Sequence, residues 1–172
     1  MVLQAMPVPS YLSTFLWMSQ LRGLEAFHAR FGGAWLVWEP GPWLAPSRAT
    51  LATVAVDAGA NQPKQGDALC FFLGPAKDGR VIQLGREPDN DVMISDGTVS
   101  RHHLVFTSAG GKWTVRVAVD RAATLDGQPI PTHDVPLAPG QVLRVGGVTL
   151  SFHETSTLLP HLSATPRPPP AR

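Results

Sequence analysis

Residues 85–103 read GREPDNDVMISDGTVSRHH, and this stretch determines the fold that the sequence predicts. Pro88 and Gly97 disfavour a helix, because proline removes a backbone donor and glycine has a low helix propensity. The apolar run 92–94 therefore predicts one short strand with a loop at each end. Three hydrogen-bond donors lie on these loops, where binding residues are common. They are Arg86, Ser100 and Arg101.

Turn residues frame this strand on both sides. Gly85 permits a tight bend or a close approach of backbones. Asn90 and Asp91 suit a turn before the strand, and Asp96 with Gly97 suits another after it. The stretch is thus predicted to hold its donors on two neighbouring loops.

The same pattern continues downstream, where short apolar runs alternate with turn residues at intervals of about eight to twelve positions. This spacing predicts an all-β sandwich. The predicted strands are 68–73, 81–85, 91–94, 102–107, 112–119, 141–145 and 148–152, with a hairpin at 125–130. Period-two alternation assigns two faces to the core. These faces are Trp113, Val115, Val117 and Val119, and Val148, Leu150 and Phe152. The Asp126–Gly127 pair predicts a type I′ hairpin turn.

The upstream region has a different pattern. Apolar residues recur there at helical spacing, with Ser10 as a candidate cap and Gly32 and Gly33 as the end. These residues are Leu12, Phe15, Leu16, Leu24, Phe27 and Phe31. Strands are predicted at 34–43 and 51–56. We divide the chain into a helix-plus-strand module of unknown role (1–58), a linker (59–67), a β-sandwich (68–155) and a Pro-rich disordered tail (156–172).

Composition argues against several classes of protein. The 14 Lys and Arg residues balance 13 Asp and Glu residues, which gives no electrostatic reason to expect nucleic acid or an acidic membrane as a partner. The single cysteine, Cys70, cannot form an internal disulfide and favours a reducing compartment. The sequence shows neither a secretory signal nor an apolar run long enough to cross a bilayer. A cytoplasmic protein is expected.

The order of motifs resembles the forkhead-associated (FHA) domain, a phosphothreonine-peptide-binding module. The resemblance covers residues 68–154, and paired GR and SRxH motifs at this spacing are more specific than a lone short motif. Its elements are Gly85 and Arg86, then Asn90 and Asp91, then Ser100, Arg101 and His103, followed by Trp113 and a closing pattern of Leu137, Gly140, Leu143, Gly146, Leu150 and Phe152.

The resemblance implies a non-catalytic signalling or scaffold module that binds phosphothreonine peptides without a cofactor or metal. Arg86, Ser100 and Arg101 would contact the phosphate or peptide, while Gly85, Asn90 and His103 would support the loops. A Ser/Thr kinase that phosphorylates the threonine is an implied partner. Phosphothreonine carries a charge of about −1.5 to −2 and three acceptor oxygens, so cations and hydroxyl donors suit it.

One element of the family pattern is absent. FHA domains usually carry an Asn-Gly pair before the hairpin that LDGQPI represents here, and its asparagine holds the peptide main chain. Counting back from Gly127 places Arg121 or, with a one-residue shortening, Ala122 at that position. The residue before it is then Asp120 or Arg121. Arg121 is retained as a candidate peptide-binding residue, and a phosphate-independent interaction domain on a degenerate FHA scaffold is the alternative function.

Catalytic and metal-binding functions find little support. A hydrolase would pair Ser100 with His102 or His103, but residues two or three apart do not by themselves form a nucleophile and base, and no G-x-S-x-G motif is present. Cys70 and the histidines lack zinc-ligand spacing. Separately, four tryptophans lie upstream at positions 17, 35, 38 and 43; if exposed, they would form an interface, through which the N-terminal module could make a homo-oligomer.

Overall fold

The computed structural model describes residues 9–39, 63, 67–118 and 122–164. Within them the helices are α1 (Leu12–Arg22), α2 (Leu24–Phe31) and α3 (Thr155–Ala164). The strands are β1 (Ser10–Tyr11), β2 (Ala34–Trp38), β3 (Leu69–Gly74), β4 (Arg80–Gly85), β5 (Val92–Met93), β6 (Leu104–Ala109), β7 (Lys112–Val117), β8 (Ala123–Leu125), β9 (Gln128–Pro129), β10 (Val135–Leu137), β11 (Val142–Val145) and β12 (Val148–Glu154). None of the helices in this described part is long and apolar enough to cross a membrane.

The strands form two sheets. The larger sheet has the order β1-β3-β2-β12-β11-β8-β9, and the smaller has the order β10-β7-β6-β4-β5. Neighbouring strands are antiparallel except β4 and β5, which are parallel. The predicted fold class, mainly β with a sandwich of short antiparallel strands preceded by helix and strand, is confirmed.

One hydrophobic core fills the space between the sheets, and alternate residues of the strands supply it. Both predicted inward faces are buried, namely Trp113, Val115 and Val117 of β7 and Val148, Leu150 and Phe152 of β12. Val119 lies outside the described residues. The predicted hairpin turn is present too, since Asp126 and Gly127 have φ angles of 49° and 83°.

A second core lies between the helices and the outer face of the larger sheet. The rings of Phe15, Phe27 and Phe31 have centroids 4.9, 6.3 and 5.8 Å from that of Trp35 in β2. All five residues of β2 are buried, because its two faces pack into different cores. The fold therefore has three layers, with the larger sheet in the middle.

The predicted single N-terminal helix is in fact two helices. Gly23 separates them with a φ of 80°, a conformation that glycine adopts without steric cost. Leu24 consequently begins a new helix out of register with α1, and its side chain is 59% exposed rather than part of the apolar face. Ser10 lies in β1 and does not cap α1, whose N-cap is Tyr11. The side chain of Leu16 is outside the described part of the structure.

The strand predicted at 34–43 is shorter and lies in the sandwich itself. It forms β2, which is hydrogen-bonded between β3 and β12 in the larger sheet. Five residue pairs join β2 to β12, so this strand is integral to the sheet. The predicted strand 51–56 and all but residues 63 and 67 of the predicted linker lie outside the described residues. The division of the chain at 59–67 stays a prediction.

The start of the predicted disordered tail is wrong. Residues Thr155–Ala164 form α3 although Pro160 lies inside the helix. Leu158 is fully buried in the second core, and this burial offsets the backbone donor that the proline lacks. Most of the prolines that suggested disorder lie at 166–170, and residues 165–172 are outside the described part.

Thr155 fixes the start of α3 to the rest of the helix layer. Its hydroxyl donates to the Phe31 carbonyl at 2.6 Å and accepts from the Gly33 amide and the Trp35 indole, both at 3.1 Å. These three bonds use the one donor and two acceptor positions of a hydroxyl. Thr155 is itself buried, so this residue joins α3 to α2 and β2 through bonds that water does not replace.

Candidate functional site

The GR and SRxH motifs lie on two loops at one end of the smaller sheet. The first loop follows β4 and leads into β5, and the second leads from β5 into β6. Because β4 and β5 are parallel, Gly85 pairs with Met93, and the Ile94 amide donates to the Gly85 carbonyl at 2.9 Å. The Arg86 amide also donates to the Ser100 carbonyl at 2.9 Å. These bonds hold the predicted site residues of the two motifs side by side.

Gly85 is the point of closest approach between the loops. A Cβ atom at this position would lie 2.0 Å from the Arg101 carbonyl oxygen and 2.9 Å from Asn90 Nδ2. Real Cβ atoms do not approach backbone atoms so closely. Glycine is required here by the contact with the neighbouring loop. Of the tight bend and the close backbone approach that the sequence predicted as alternatives, the structure shows the close approach.

Asn90 ties the same two loops together with its side chain. Its Nδ2 donates to the carbonyls of Glu87 at 2.8 Å and Arg101 at 2.7 Å, and the residue is only 7% exposed. Its Oδ1 lies 3.1 Å from Nδ1 of His102. Because an amide oxygen only accepts, the His102 nitrogen must donate to it. A buried amide that uses both its donor and acceptor atoms makes these loops rigid relative to each other.

Arg86 is half-buried at the base of the site. Its Nη1 donates to the Gly97 carbonyl at 3.3 Å, while its Nε is buried and has no acceptor among the described residues. No described carboxylate lies within ion-pair distance of this guanidinium. Three acids of the same two loops have other partners. Asp91 accepts from the Gln83 amide at 2.8 Å, Asp96 accepts from the Thr98 amide at 2.8 Å, and Asp89 lies 3.7 Å from His102. Arg86 therefore offers a fixed cation with remaining donor capacity.

Ser100 and Arg101 lie on the second loop, whose backbone is bonded to that of Arg86 at Ser100. Ser100 is half-buried, and in the part of the chain that the structure describes its hydroxyl has no hydrogen-bond partner. Arg101 is exposed and its guanidinium has no described ion pair, while its carbonyl is held by Asn90. The backbone thus fixes both residues and leaves their side-chain donors available, an arrangement that suits an anionic ligand.

His103 lies beneath this loop and is 2% exposed. Its Nδ1 accepts from the Ser100 amide at 3.1 Å, and its own amide donates to the Leu84 carbonyl at 2.8 Å. Its carbonyl accepts from the Ala118 amide at 2.9 Å. The ring therefore contacts the loop from inside the fold, away from any position that an external ligand could reach.

Sequence reasoning did not identify Thr98, which links the second loop to the turn between β11 and β12. The Thr98 hydroxyl donates to Asp96 and accepts from the Gly147 amide at 2.7 Å. A Cβ atom at Gly146 would lie 2.5 Å from the Thr98 carbonyl oxygen. The Asp96–Gly97 turn signal marked this loop, but its contact with Gly146 and Gly147 depends on tertiary structure. Arg121, the remaining candidate, lies outside the described residues.

The serine, histidine and acidic side chains bear on the alternative hydrolytic and metal-binding sites. Ser100 contacts His103 through its backbone amide, and in the described part of the chain its hydroxyl has no hydrogen bond to a histidine. Elsewhere, the Ser151 hydroxyl donates to the Glu39 carboxylate at 2.9 Å, and His153 Nε2 lies 3.1 Å from Ser151 Oγ. In a catalytic triad the serine hydroxyl donates to the histidine, whereas Ser151 donates to Glu39. Among the described residues, no group of three His, Cys, Asp or Glu side chains could hold a metal ion.

Comparison with known families identifies the region that carries both loops. The family model described as "FHA domain" matches residues 82–146, from within β4 to the turn that contacts Thr98. Comparison with curated proteins gives no match.

Several solved structures align with this chain. The FHA domain of MEK1 aligns with a TM-score of 0.50 at 13% identity, covering 76% of this chain and 96% of that one. The FHA domain of an Arabidopsis thaliana hypothetical protein has a TM-score of 0.47 at 23% identity, with 72% and 86% covered. The N-terminal FHA domain of Rad53p from S. cerevisiae, solved with a phosphothreonine peptide, has a TM-score of 0.45 at 14% identity, with 71% and 93% covered.

Proposed function

We propose that this chain, which contains an FHA domain, is a non-catalytic signalling or scaffold protein that binds phosphothreonine peptides. The observation that carries the proposal is the pair of arginines, Arg86 and Arg101, which have no ion pair among the described residues and lie on two loops joined by the buried Asn90 amide. A phosphate group complements this arrangement, because it supplies negative charge and three acceptor oxygens.

Each of the three side chains has a distinct role in this proposal. Arg86 is the more buried of the two arginines and would bind the phosphate oxygens from a fixed direction. Ser100 would donate its hydroxyl to another phosphate oxygen, and the exposed Arg101 would contact either the phosphate or a peptide carbonyl. Hydrogen bonds to charged groups contribute about 1.5–3 kcal/mol each, so two or three such bonds give a reversible reader of moderate affinity.

Arg121 is proposed as the substitute for the family's asparagine, which holds the peptide main chain. A guanidinium can donate to peptide carbonyls as an amide does, and its charge would add affinity for acidic peptides. Gly85, Asn90 and His103 support the loops without touching the ligand. The partners are a phosphothreonine-containing protein and the Ser/Thr kinase that modifies it, in the cytoplasm, with no role for nucleic acid or a membrane.

The test is titration calorimetry of the full chain with phosphothreonine peptides selected from a degenerate library and with their unphosphorylated forms. Arg86→Ala should weaken phosphopeptide binding by roughly 10- to 150-fold, the range that loss of a charged hydrogen bond predicts. Lys112→Ala is the matched control, because it removes one exposed positive charge from the far end of the smaller sheet. It should leave the affinity unchanged.

Two results would overturn the proposal. Peptides that bind equally with and without phosphate would establish the alternative, a phosphate-independent interaction domain on an FHA scaffold. Phosphate-dependent binding that is insensitive to Arg86→Ala would place the phosphate at another position on the molecule.

A further inference from the structure

The helix layer carries an apolar groove that is separate from the FHA loops. It lies between α1 and α2 and has a volume of about 390 Å³, within the range of small ligand and side-chain pockets. Its apolar lining includes Met18, Ala26, Phe27 and Phe31, and two arginines, Arg22 and Arg30, complete it. The groove belongs to the layer outside the larger sheet, whereas the FHA loops belong to the smaller sheet.

Exposed apolar side chains adjoin this groove on the same two helices. Trp17, Leu21 and Leu24 are 62%, 63% and 59% exposed, and they are three of the four large hydrophobic residues exposed in the described part of the chain. Trp17 and Leu21 are one turn apart on α1, directly beside Met18 and the arginine that follows Leu21. Such clustering on one surface is typical of a site for another protein.

The charge of the groove restricts what can occupy it. Neither Arg22 nor Arg30 has an ion pair among the described residues, and Arg30 lies 5.3 Å above the Phe31 ring with its guanidinium unpaired. The only acidic residue of α1 and α2 is Glu25, which pairs with neither arginine. An occupant that brings carboxylates would form bidentate pairs with both guanidinium groups.

The rest of this chain does not supply such an occupant. Of the segments outside the described residues, 1–8 has no charged residue, 40–62 has one aspartate and one arginine, 64–66 has one lysine, 119–121 has one aspartate and one arginine, and 165–172 has two arginines and no acid. A second copy docked through the same surface would bring the arginines of both copies together, which is unfavourable.

We propose that the α1–α2 groove binds an acidic amphipathic segment of a second protein, whose apolar side chains fill the groove and whose carboxylates pair with Arg22 and Arg30. This interaction does not depend on phosphate or on Arg86. The chain would thereby have two independent binding surfaces, one for a phosphorylated site and one for an unmodified acidic segment.

The experiment is selection of peptides of roughly 16 residues, enough for about four helical turns, from a displayed random library on the 172-residue chain. Enriched peptides are synthesised and measured by fluorescence anisotropy against three variants. The double variant Arg22→Glu with Arg30→Glu should weaken binding by more than roughly tenfold, because attraction becomes repulsion at two sites. Lys112→Glu and Arg86→Ala should leave it unchanged, and circular dichroism should show that all variants remain folded.

The expected peptides combine apolar residues with at least two Asp or Glu, and replacement of these acids by Asn or Gln should abolish binding. The proposal is overturned if no peptide is enriched, or if the enriched peptides bind the double variant as tightly as the original protein. It is also overturned if sedimentation shows that the groove is covered by self-association, or if the protein binds anionic lipid vesicles through Trp17 instead. Loss of phosphopeptide binding alone would contradict only the proposed function of the FHA loops.

Discussion

The contact at Gly85 makes replacement of this residue by alanine a quantitative test of the site. The added Cβ would lie 2.0 Å from the Arg101 carbonyl oxygen, and ordinary contact requires about 3.4 Å, so the second loop must move by roughly 1.4 Å. That carbonyl accepts from Asn90 Nδ2 at 2.7 Å and from the Glu87 amide at 3.3 Å. A displacement of this size breaks both hydrogen bonds.

The expected cost follows from these two effects. Two lost hydrogen bonds contribute about 0.5–1.5 kcal/mol each, and forcing one methyl group into a packed contact costs about 1–3 kcal/mol. Gly85→Ala should therefore lower the free energy of unfolding by about 2–6 kcal/mol. Binding of a phosphothreonine peptide should weaken as well, because Arg86 and Ser100 would no longer be held at a fixed separation.

Urea unfolding followed by tryptophan fluorescence measures the first effect, and calorimetry at low temperature measures the second. Gly79→Ala is the control: Gly79 has a φ of +76° with nothing within 4 Å of a Cβ, so the cost is backbone strain of about 1 kcal/mol without a change in peptide affinity. A Gly85→Ala protein that loses less than about 1 kcal/mol and keeps its affinity would show that the two loops do not touch as described.

Four further predictions concern Thr155, Cys70 and His102. Thr155→Val should lower the free energy of unfolding by about 2–4 kcal/mol, because the buried Trp35 indole loses its acceptor, whereas a similar loss from Ser156→Ala, at the exposed neighbouring position, would refute this reasoning. Burial raises the pKa of the Cys70 thiol far above its usual range, so the folded protein should resist iodoacetamide at pH 8 until urea unfolds it, and prompt modification would contradict the burial. Because the folded pKa is the higher one, Cys70 stabilises the protein fully below about pH 8.5 and should reduce its stability by about 1.4 kcal/mol per pH unit above that value; a Cys70→Ala protein should lack this slope in urea titrations. His102→Ala should weaken phosphopeptide binding several-fold, because the Asn90 amide loses a hydrogen bond. His102→Asn should restore the binding, because the asparagine amide can donate in the same position. Equal effects of the two substitutions would exclude this role of His102.

Local chemistry accounts for what the sequence could predict of the fold. The alternation in β7 and β12 and the Asp126–Gly127 turn depend on a few neighbouring residues, so the pattern alone was sufficient. The strand β10 was missed because Pro136 argues against a strand, and only its place at the edge of the smaller sheet makes the missing donor tolerable. The helix α3 was missed because burial of Leu158 depends on residues distant in the chain.

In the candidate site, too, some features follow from the local sequence and others depend on tertiary contacts. The residue types at 85–86 and 100–103 pointed to an anion-binding pair of loops, and the structure brings these residues together. What the sequence left open at Gly85, a tight bend or a close approach, is decided by the distance to Arg101 in the other loop. The link from Thr98 to Gly147 spans 49 positions, and no local signal could have revealed it.

The position of β2 in the larger sheet also determines when the protein can fold during its synthesis. Trp38 pairs with Leu150, and Ala34 with Glu154, so an early strand and a late strand are direct neighbours. While the ribosome is still translating residues 39–147, β2 lacks one of its two partners and exposes an apolar edge. The larger sheet can close only after residues 148–154 emerge, so folding of this domain is delayed until nearly all of its chain has been made.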